Sequence, residues 1–208
     1  SNTLNRSDVL STWAGVRPVI GAEKSKDPSK ERRDHAVWSD NGLITVSGGK
    51  LTTFRLIALD TLAAAKDNLP AAKDISDDRV FLTPAITAKA LSPENTSWAQ
   101  RLLGRYGDKA IDLVNESSPD ERHNLNETEF SLAECRWAIK YEAVEHLDDL
   151  LLRRTRLGMC LPYGGRNLYP ALKELFLSNQ NWDDERWQQE VTRYETIWTK
   201  YYSLPSNV

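Results

Sequence analysis

The chain has 208 residues, and its 27 Lys and Arg against 30 Asp and Glu leave a formal charge of −3. This near-neutral balance argues against a nucleic-acid binder or an anionic-membrane binder. A hydrophobic fraction of 40% with seven Trp excludes a disordered chain, and no apolar run approaches the roughly 20 residues of a membrane-spanning helix. Two cysteines, Cys135 and Cys160, are too few for a disulfide framework and indicate a reducing, intracellular compartment.

The first 69 residues contain five of the ten glycines and differ in charge from the rest of the chain. The β-prone runs 35–38 and 43–46 flank a four-residue turn signal, 39–42, that contains Asn-Gly, and they predict a β-hairpin. Its second strand runs into Gly48-Gly49-Lys50, and an apolar pattern from Phe54 to Leu62 follows. The sequence therefore predicts a strand, a glycine turn and a helix.

Residues 70–93 contain three prolines and read as a linker, after which residues 94–208 are predicted to be helical almost throughout. Breaks are expected at Gly104 and Gly107, and a capping box at Ser131 and Glu134 starts a further helix. The last helix carries an apolar stripe of Trp187, Val191, Tyr194, Trp198 and Tyr201. The predicted helices are 95–103, 108–115, 131–145, 148–154, one after Pro170, and 183–202.

The turn Gly48-Gly49-Lys50 is the first candidate for chemistry. Two glycines allow close backbone approach, and the start of the following helix offers free N–H groups to an anion or a carbonyl oxygen. It is not a phosphate loop, because Ile44 stands where the first glycine of that motif belongs and Leu51 follows the lysine. The alternative is a structural turn with a surface lysine.

Two arginines precede the hairpin and form the second candidate. Arg17 stands between Gly15 and Pro18, and a proline holds the preceding residue in an extended conformation that suits bidentate recognition of a carboxylate or phosphate. Arg33 belongs to a cationic run before His35. The alternatives are an ordinary structural arginine and a solvated charge run.

The charged residues of the helical half are interpreted as an ion-pair network that holds helices together. No two histidines have the spacing of a zinc site, so no metal site is predicted, and His123 and His146 are expected at the surface. The network consists of Glu142, Glu145, Asp148 and Asp149 with Arg153, Arg154 and Arg156.

Taken together, the ordered segments TWAGVRP, RDH and GLITVSGGKLTTFR resemble the last part of the FAD-dependent glycerol-3-phosphate dehydrogenases and their oxidase relatives. The segment SLAECRWAIKYEAVEHLDDLLLRRTRLG resembles the helical domain attached to those enzymes. The dinucleotide fingerprint Gly-x-Gly-x-x-Gly is missing from these residues. We therefore expect the chain to be the C-terminal portion of a longer polypeptide.

The resemblance implies roles for particular residues. Arg17 and Arg33 would hold the phosphate of the substrate, and Lys50 would lie by the reacting carbon and the flavin as the catalytic residue. The cofactor-binding turn would comprise Gly48, Gly49, Lys50, Leu51 and Thr52. The implied reaction oxidises glycerol 3-phosphate to dihydroxyacetone phosphate with FAD as hydride acceptor, and electrons then pass to quinone, or to oxygen in the oxidase relatives.

The expected fold is mainly α: a helical bundle cap domain at 94–208, preceded by a hairpin and strand-turn-helix remnant of a FAD-binding α/β domain at 1–69. The isolated chain is expected to be inactive and to bind no FAD. A homodimer is allowed, and the expected location is cytoplasmic, with peripheral attachment to the cytoplasmic membrane as a family alternative. The competing function is a helical protein-interaction module without a catalytic role.

Overall fold

The computed structural model describes residues 3–16, 35–69 and 86–205. These residues form two compact units, one from 3–14 and 86–205 and the other from 15–16 and 35–69. The described residues are mostly helical with one two-stranded sheet, which confirms the mainly α fold class. The domain limits predicted from the sequence stay a prediction. The regular helices are α1 (Phe54–Ala65), α2 (Ala88–Leu91), α3 (Thr96–Tyr106), α4 (Lys109–Glu116), α5 (Leu132–Tyr141), α6 (Leu157–Cys160), α7 (Tyr169–Asn179) and α8 (Asp184–Tyr201).

The smaller unit contains the predicted hairpin, with β1 (His35–Asp40) antiparallel to β2 (Leu43–Gly48). The turn has two residues, not the four expected, because strand pairing continues to Asp40 and Leu43. Asn41 and Gly42 both have positive φ, 47° and 84°, as a tight hairpin turn with the twist of its strands requires. A 3₁₀ turn at Leu51–Thr53 then leads into α1, as the strand-turn-helix prediction expects.

The helical unit, the larger of the two, buries two clusters of apolar side chains that share α5. One cluster lies among α3, α4 and α5, where Leu102 and Leu113 are almost fully buried. The other joins α5 to the segments up to α8. It includes Cys135, Ile139, Val144, Leu147, Leu150, Leu151, Leu157, Leu172, Phe176, Trp187 and Tyr194. None of the described helices has the length and apolar content needed to cross a lipid bilayer.

Several helix limits differ from those expected. Helix α3 continues through Gly104 and ends at Gly107, where φ is +57°. Helix α5 ends at Tyr141 instead of near Glu145, because Ala143 adopts a left-handed φ of +51°. A glycine inside a helix costs only about 1 kcal/mol, so the packing of α3 outweighs it.

The short helix expected at 148–154 is a π-helical turn, Asp149–Arg154. The Thr155 amide donates to the Leu150 carbonyl at 3.0 Å, a bond across five residues. Three consecutive leucines of this turn, 150–152, are buried in the second cluster. The wider turn therefore directs apolar side chains into the core while its arginines reach the surface.

The last two helices agree with the sequence in position. Helix α7 begins at Tyr169, and α8 is capped by Asp183, whose carboxylate accepts from the Arg186 amide at 2.8 Å. The predicted apolar stripe holds for Trp187 and Tyr194, which are buried, but is wrong at Tyr201, which is 59% exposed.

The N-terminal segment runs along the end of the helical unit. The Thr12 amide donates to the Tyr202 carbonyl at 2.8 Å, and the Thr12 hydroxyl donates to the Ser203 carbonyl at 3.0 Å. The Ser11 hydroxyl donates to the Met159 carbonyl at 2.9 Å. These bonds place residues 11–14 beside α6 and the end of α8.

Candidate functional site

The glycine turn after β2 has a backbone that other residues adopt at a cost. Gly48 and Gly49 have φ of +81° and +82°. A Cβ on Gly49 would lie 2.4 Å from Ile57 Cδ1 and 3.3 Å from His35 Cβ. Helix α1 therefore packs closely on the turn, and a Cβ at Gly49 would require the Ile57 side chain to move in addition to adopting a positive φ. This packing explains the second glycine without a ligand.

The backbone of Lys50 is held by Thr53. The Thr53 hydroxyl accepts from the Lys50 amide at 3.3 Å and donates to the Lys50 carbonyl at 3.0 Å. The Thr53 amide donates to the same carbonyl at 3.0 Å. A threonine three residues after the start of a helical turn is a common cap, so this geometry is local in origin. The Lys50 side chain is exposed and pairs with no carboxylate among the described residues.

The turn presents backbone donors next to this lysine. Its helical bonds run from Thr53 to Lys50 and from Phe54 to Leu51, which leaves the amides of Leu51 and Thr52 without an acceptor inside the turn. The positive end of the α1 dipole lies at the same place. Amides without an acceptor inside the turn and an exposed ammonium group are donors that suit an electron-rich group.

A histidine–aspartate pair lies beside the turn, and the sequence analysis did not predict it. His35 Nε2 is 2.7 Å from Asp60 Oδ2. Asp60 comes one helical turn after Ile57, the residue that contacts Gly49, so the two share one face of α1. That spacing is the signal by which the pair could have been found.

The structure brings one group of the predicted site residues together. Gly48, Gly49, Lys50, Leu51 and Thr52 all lie in the single turn between β2 and α1. Arg17 and Arg33 lie outside the described residues.

The part of the chain that the structure describes contains neither a metal-binding cluster nor a disulfide bond. Among the described residues no group of three or more His, Cys, Asp and Glu could hold a metal ion. Cys135 and Cys160 are both free, the first buried and the second exposed.

The predicted ion-pair network near the π-helical turn forms only in part. Among the described residues, Glu142, Glu145, Arg154 and Arg156 form no ion pair, whereas Asp148, Asp149 and Arg153 do, with one partner that sequence reasoning missed. Asp148, 1% exposed, pairs with Arg153 and with Arg193 of α8. Asp149 also contacts Arg153 at 3.0 Å. No local spacing links Asp148 to Arg193, because 45 residues separate them.

His146 lies at the surface, as expected, with 38% of its side chain exposed, but it also joins two elements. Its Nδ1 is 2.9 Å from Glu190 Oε1, and the Glu190 side chain is only 2% exposed. Arg186 reaches the same carboxylate at 2.8 Å. The contact joins the segment before the π-helical turn to α8, so it is structural.

Comparison with known proteins gives consistent matches. The family model for the C-terminal domain of alpha-glycerophosphate oxidase matches residues 81–187. The mitochondrial glycerol-3-phosphate dehydrogenase of Bos taurus is 32% identical over 206 residues, which cover 90% of this chain and 28% of the relative. The Homo sapiens enzyme is 31% identical over 205 residues, with the same coverage.

A bacterial relative matches as well. Glycerol-3-phosphate dehydrogenase 2 of Mycobacterium tuberculosis is 30% identical over 206 residues, covering 92% of this chain and 35% of the relative. The chain thus spans roughly a third of the length of these curated relatives. No solved structure matches it significantly.

Proposed function

The chain belongs to the family of the C-terminal domain of alpha-glycerophosphate oxidase, and on that premise we propose that it is the C-terminal portion of an FAD-dependent glycerol-3-phosphate dehydrogenase. The complete polypeptide would oxidise sn-glycerol 3-phosphate to dihydroxyacetone phosphate. Relatives that carry the dehydrogenase name support this proposal along about 90% of the chain. Because the chain covers 28–35% of those relatives, the activity is proposed for the complete polypeptide.

The observation that carries the proposal is the arrangement of the glycine turn. Lys50, Leu51 and Thr52 are all exposed in one short segment at the start of α1, which carries two amides without an acceptor inside the turn and an ammonium group. Donors at a helix start stabilise negative charge on a ligand. When bound there, a flavin would supply the hydride acceptor. The turn residues would orient its ring edge, and Lys50 would hold a positive charge near the reacting carbon.

Arg17 and Arg33 are proposed to bind the substrate phosphate. A planar guanidinium matches phosphate oxygens with two parallel hydrogen bonds, and two such groups compensate a doubly charged phosphate. Their role would be to position the substrate, so their loss should mainly raise KM. Electrons would leave to quinone, and the complete enzyme would lie in the cytoplasm or on the surface of the cytoplasmic membrane, with a homodimer as one allowed assembly.

The isolated chain is proposed to be inactive and to bind no flavin. None of the residues 35–69 is fully buried, and large apolar side chains of this unit, including Trp38, Leu43 and Phe54, are about half or more exposed. Exposed apolar surface of this extent is typical of a face that packs against further protein. The remaining part of a flavin domain would supply that protein.

Replacing Lys50 in the full-length polypeptide tests the proposed role. Lys50→Met keeps most of the side-chain volume and removes the charge, so we expect kcat for glycerol 3-phosphate oxidation to fall about a hundredfold. Flavin content should remain normal by absorption. Lys89→Met, which removes an exposed lysine of α2, is the matched control and should leave the rate unchanged.

Two results would contradict the proposal. An unchanged kcat in Lys50→Met would remove the catalytic role of this lysine. A purified 208-residue chain that carries a flavin band and oxidises glycerol 3-phosphate would show that the fragment is complete by itself.

A further inference from the structure

A cleft in the helical unit has a predominantly basic lining. Its charged residues are Arg153, Arg156, Arg193, Lys200 and a single acid, Asp148. The cleft has a volume of about 870 Å³, which is the size of a small-molecule site. Its walls come from the π-helical turn and the segment after it, the last turns of α8, and residues 13–14 of the N-terminal segment.

The positive charge of this cleft comes mainly from two residues. Asp148 and Asp149 together compensate Arg153 and Arg193, with which they form ion pairs. Arg156 and Lys200 pair with no carboxylate in the part of the chain that the structure describes. Two uncompensated cations that face one concave space raise the local concentration of anions.

Lys200 remains charged at neutral pH. A hydrogen bond with the Tyr201 side chain raises the pKa of its ammonium group. The ammonium also lies 4.8 Å from the centre of the Tyr201 ring, which attracts a cation. Lys200 and Tyr201 are thus held together at the edge of the cleft.

The backbone that brings Arg156 to the cleft is unusual. Its φ is +58°, a left-handed conformation that costs a non-glycine residue about 1 kcal/mol. It comes two residues after the end of the π-helical turn, and such turns occur often at functional sites. Buried leucines on both sides, at 150–152 and at 157, hold this segment in place. Two rare backbone features therefore lead to arginines on the same cleft.

The other walls of the cleft suit an organic group. Trp13 is 75% exposed and Tyr201 is 59% exposed, and Met159 and Ile197 line the same space. Flat aromatic faces and apolar side chains gain little from a bare inorganic ion, but they can cover the carbon part of a ligand. The cleft thus combines an anion-binding edge with an apolar wall.

We propose that this cleft binds a phosphate-bearing organic anion. Arg156 and Lys200 bind the phosphate oxygens, and Trp13 and Tyr201 contact the organic part. The arginine offers a planar fork and the lysine a point charge, and together they match a dianionic phosphate. This cleft shares no residue with the glycine turn, and the proposal does not depend on the proposed flavin chemistry.

Calorimetric titration of the 208-residue chain with phenyl phosphate and with inorganic phosphate tests the proposal, at about 0.15 M salt so that surface charges are screened. We expect saturable binding of phenyl phosphate that is tighter than binding of inorganic phosphate. The double variant Arg156→Gln, Lys200→Gln should bind about tenfold more weakly. Trp13→Ala should remove the preference for the phenyl group.

The control variant is Lys109→Gln with Lys173→Gln, which removes two exposed charges outside the cleft. It should bind as the unchanged chain does. The thermal midpoint of each variant checks folding. If the double variant does not fold, Lys200→Gln alone should still weaken binding.

Vesicles that contain phosphatidylglycerol distinguish the source of the phosphate. If the chain is retained on such vesicles and only the double variant is not, the site is supported and its ligand is a lipid headgroup. If phenyl phosphate binds but the vesicles do not retain the chain, the ligand is a soluble molecule. The absence of both kinds of binding would overturn the proposal. Equal weakening in the control variant would do the same, because it would indicate a general charge effect.

Discussion

The two units of the chain bury their apolar side chains to very different extents. In the helical unit Leu102, Leu151 and Phe176 are fully buried. In the hairpin unit no residue of 35–69 is fully buried, although both strands and α1 are rich in apolar residues. A helix or hairpin with little buried surface gains little free energy from packing. The helical unit therefore has its own core, whereas the hairpin unit that carries Lys50 leaves much of its apolar surface exposed.

The largest expected effect is the loss of a core side chain in the helical unit. Leu151→Ala should lower the free energy of unfolding by about 3 kcal/mol, because it leaves a cavity among fully buried neighbours. Leu56→Ala, at a side chain of the hairpin unit that is 53% exposed, should change it by about 0.5 kcal/mol or less. Urea unfolding followed by helical circular dichroism measures both.

Similar losses of unfolding free energy in Leu151→Ala and Leu56→Ala would contradict the conclusion that the helical unit depends on its buried core more than the hairpin unit does. In the full-length polypeptide, a folded Leu151→Ala variant should keep its flavin turnover, since this residue lies in the core of the helical unit. Loss of turnover in that folded variant would mean that the helical core contributes to the chemistry.

A smaller effect is expected from a side chain added at the glycine turn. Gly49→Ala forces a positive φ on alanine and a clash with Ile57, and should destabilise the hairpin by about 2 kcal/mol. Gly42→Ala is the matched control. It also has positive φ, but no atom lies within 4 Å of the added Cβ, so the loss should be about 1 kcal/mol.

Amide hydrogen exchange of β1 and β2 measures both changes. Shortening the clashing side chain in Gly49→Ala, Ile57→Ala should recover part of the protection. Equal effects at the two glycines, without recovery in the double variant, would show that packing of α1 on the turn is not what requires Gly49.

The smallest expected effect is a pH dependence in the helical unit. Burial alone would raise the pKa of the Glu121 carboxyl, but hydrogen bonds from Arg136 and the Ser118 amide outweigh it, and the pKa lies below its ordinary value of 4.5. The ionised Glu121 carboxylate therefore stabilises the folded chain fully at pH values above 4.5, and this stabilisation is lost as the pH falls through the lower pKa of the folded chain.

Between neutral pH and a pH of about 3, the free energy of unfolding should accordingly fall less in Glu121→Gln than in the unchanged chain. The two losses should differ by about 1 kcal/mol or less. Glu127→Gln, at an exposed carboxylate, serves as the control and should keep the full slope. Acid titration of the urea midpoint measures the slopes. A parallel loss in Glu121→Gln and in the unchanged chain would contradict a contribution from this carboxylate.

Local features of the fold were predictable because they depend on residues three or four positions apart. The Asn41-Gly42 turn, the capping box of Ser131 and Glu134, and the start of the last helix at Asp183 all appear where the sequence places them. The glycine turn and its lysine were predictable for the same reason. Arg17 and Arg33 lie outside the described residues, and their roles stay predictions.

Errors occurred where packing overrides local preference. Gly104 is a break signal, yet α3 continues through it because Leu102 and Leu103 before it are buried and Tyr106 after it packs against the same cluster. The π-helical turn has no local signature, since its extra residue is stabilised by the burial of three leucines. Tyr201 has the spacing of the apolar stripe, yet it is 59% exposed and lines the cleft at the end of α8.

The sequence by itself determined the family resemblance, the helical class and the positions of turns and caps, because dihedral preferences and short-range hydrogen bonds need no distant partner. Only the tertiary structure decided which distant residues meet. His35 pairs with Asp60, Asp148 with Arg193, and Arg156 and Lys200 share one cleft. Such contacts form when the free energy gained by burying apolar side chains exceeds the entropy lost in closing a long loop. Both quantities depend on residues far apart in the chain, so no short segment encodes them.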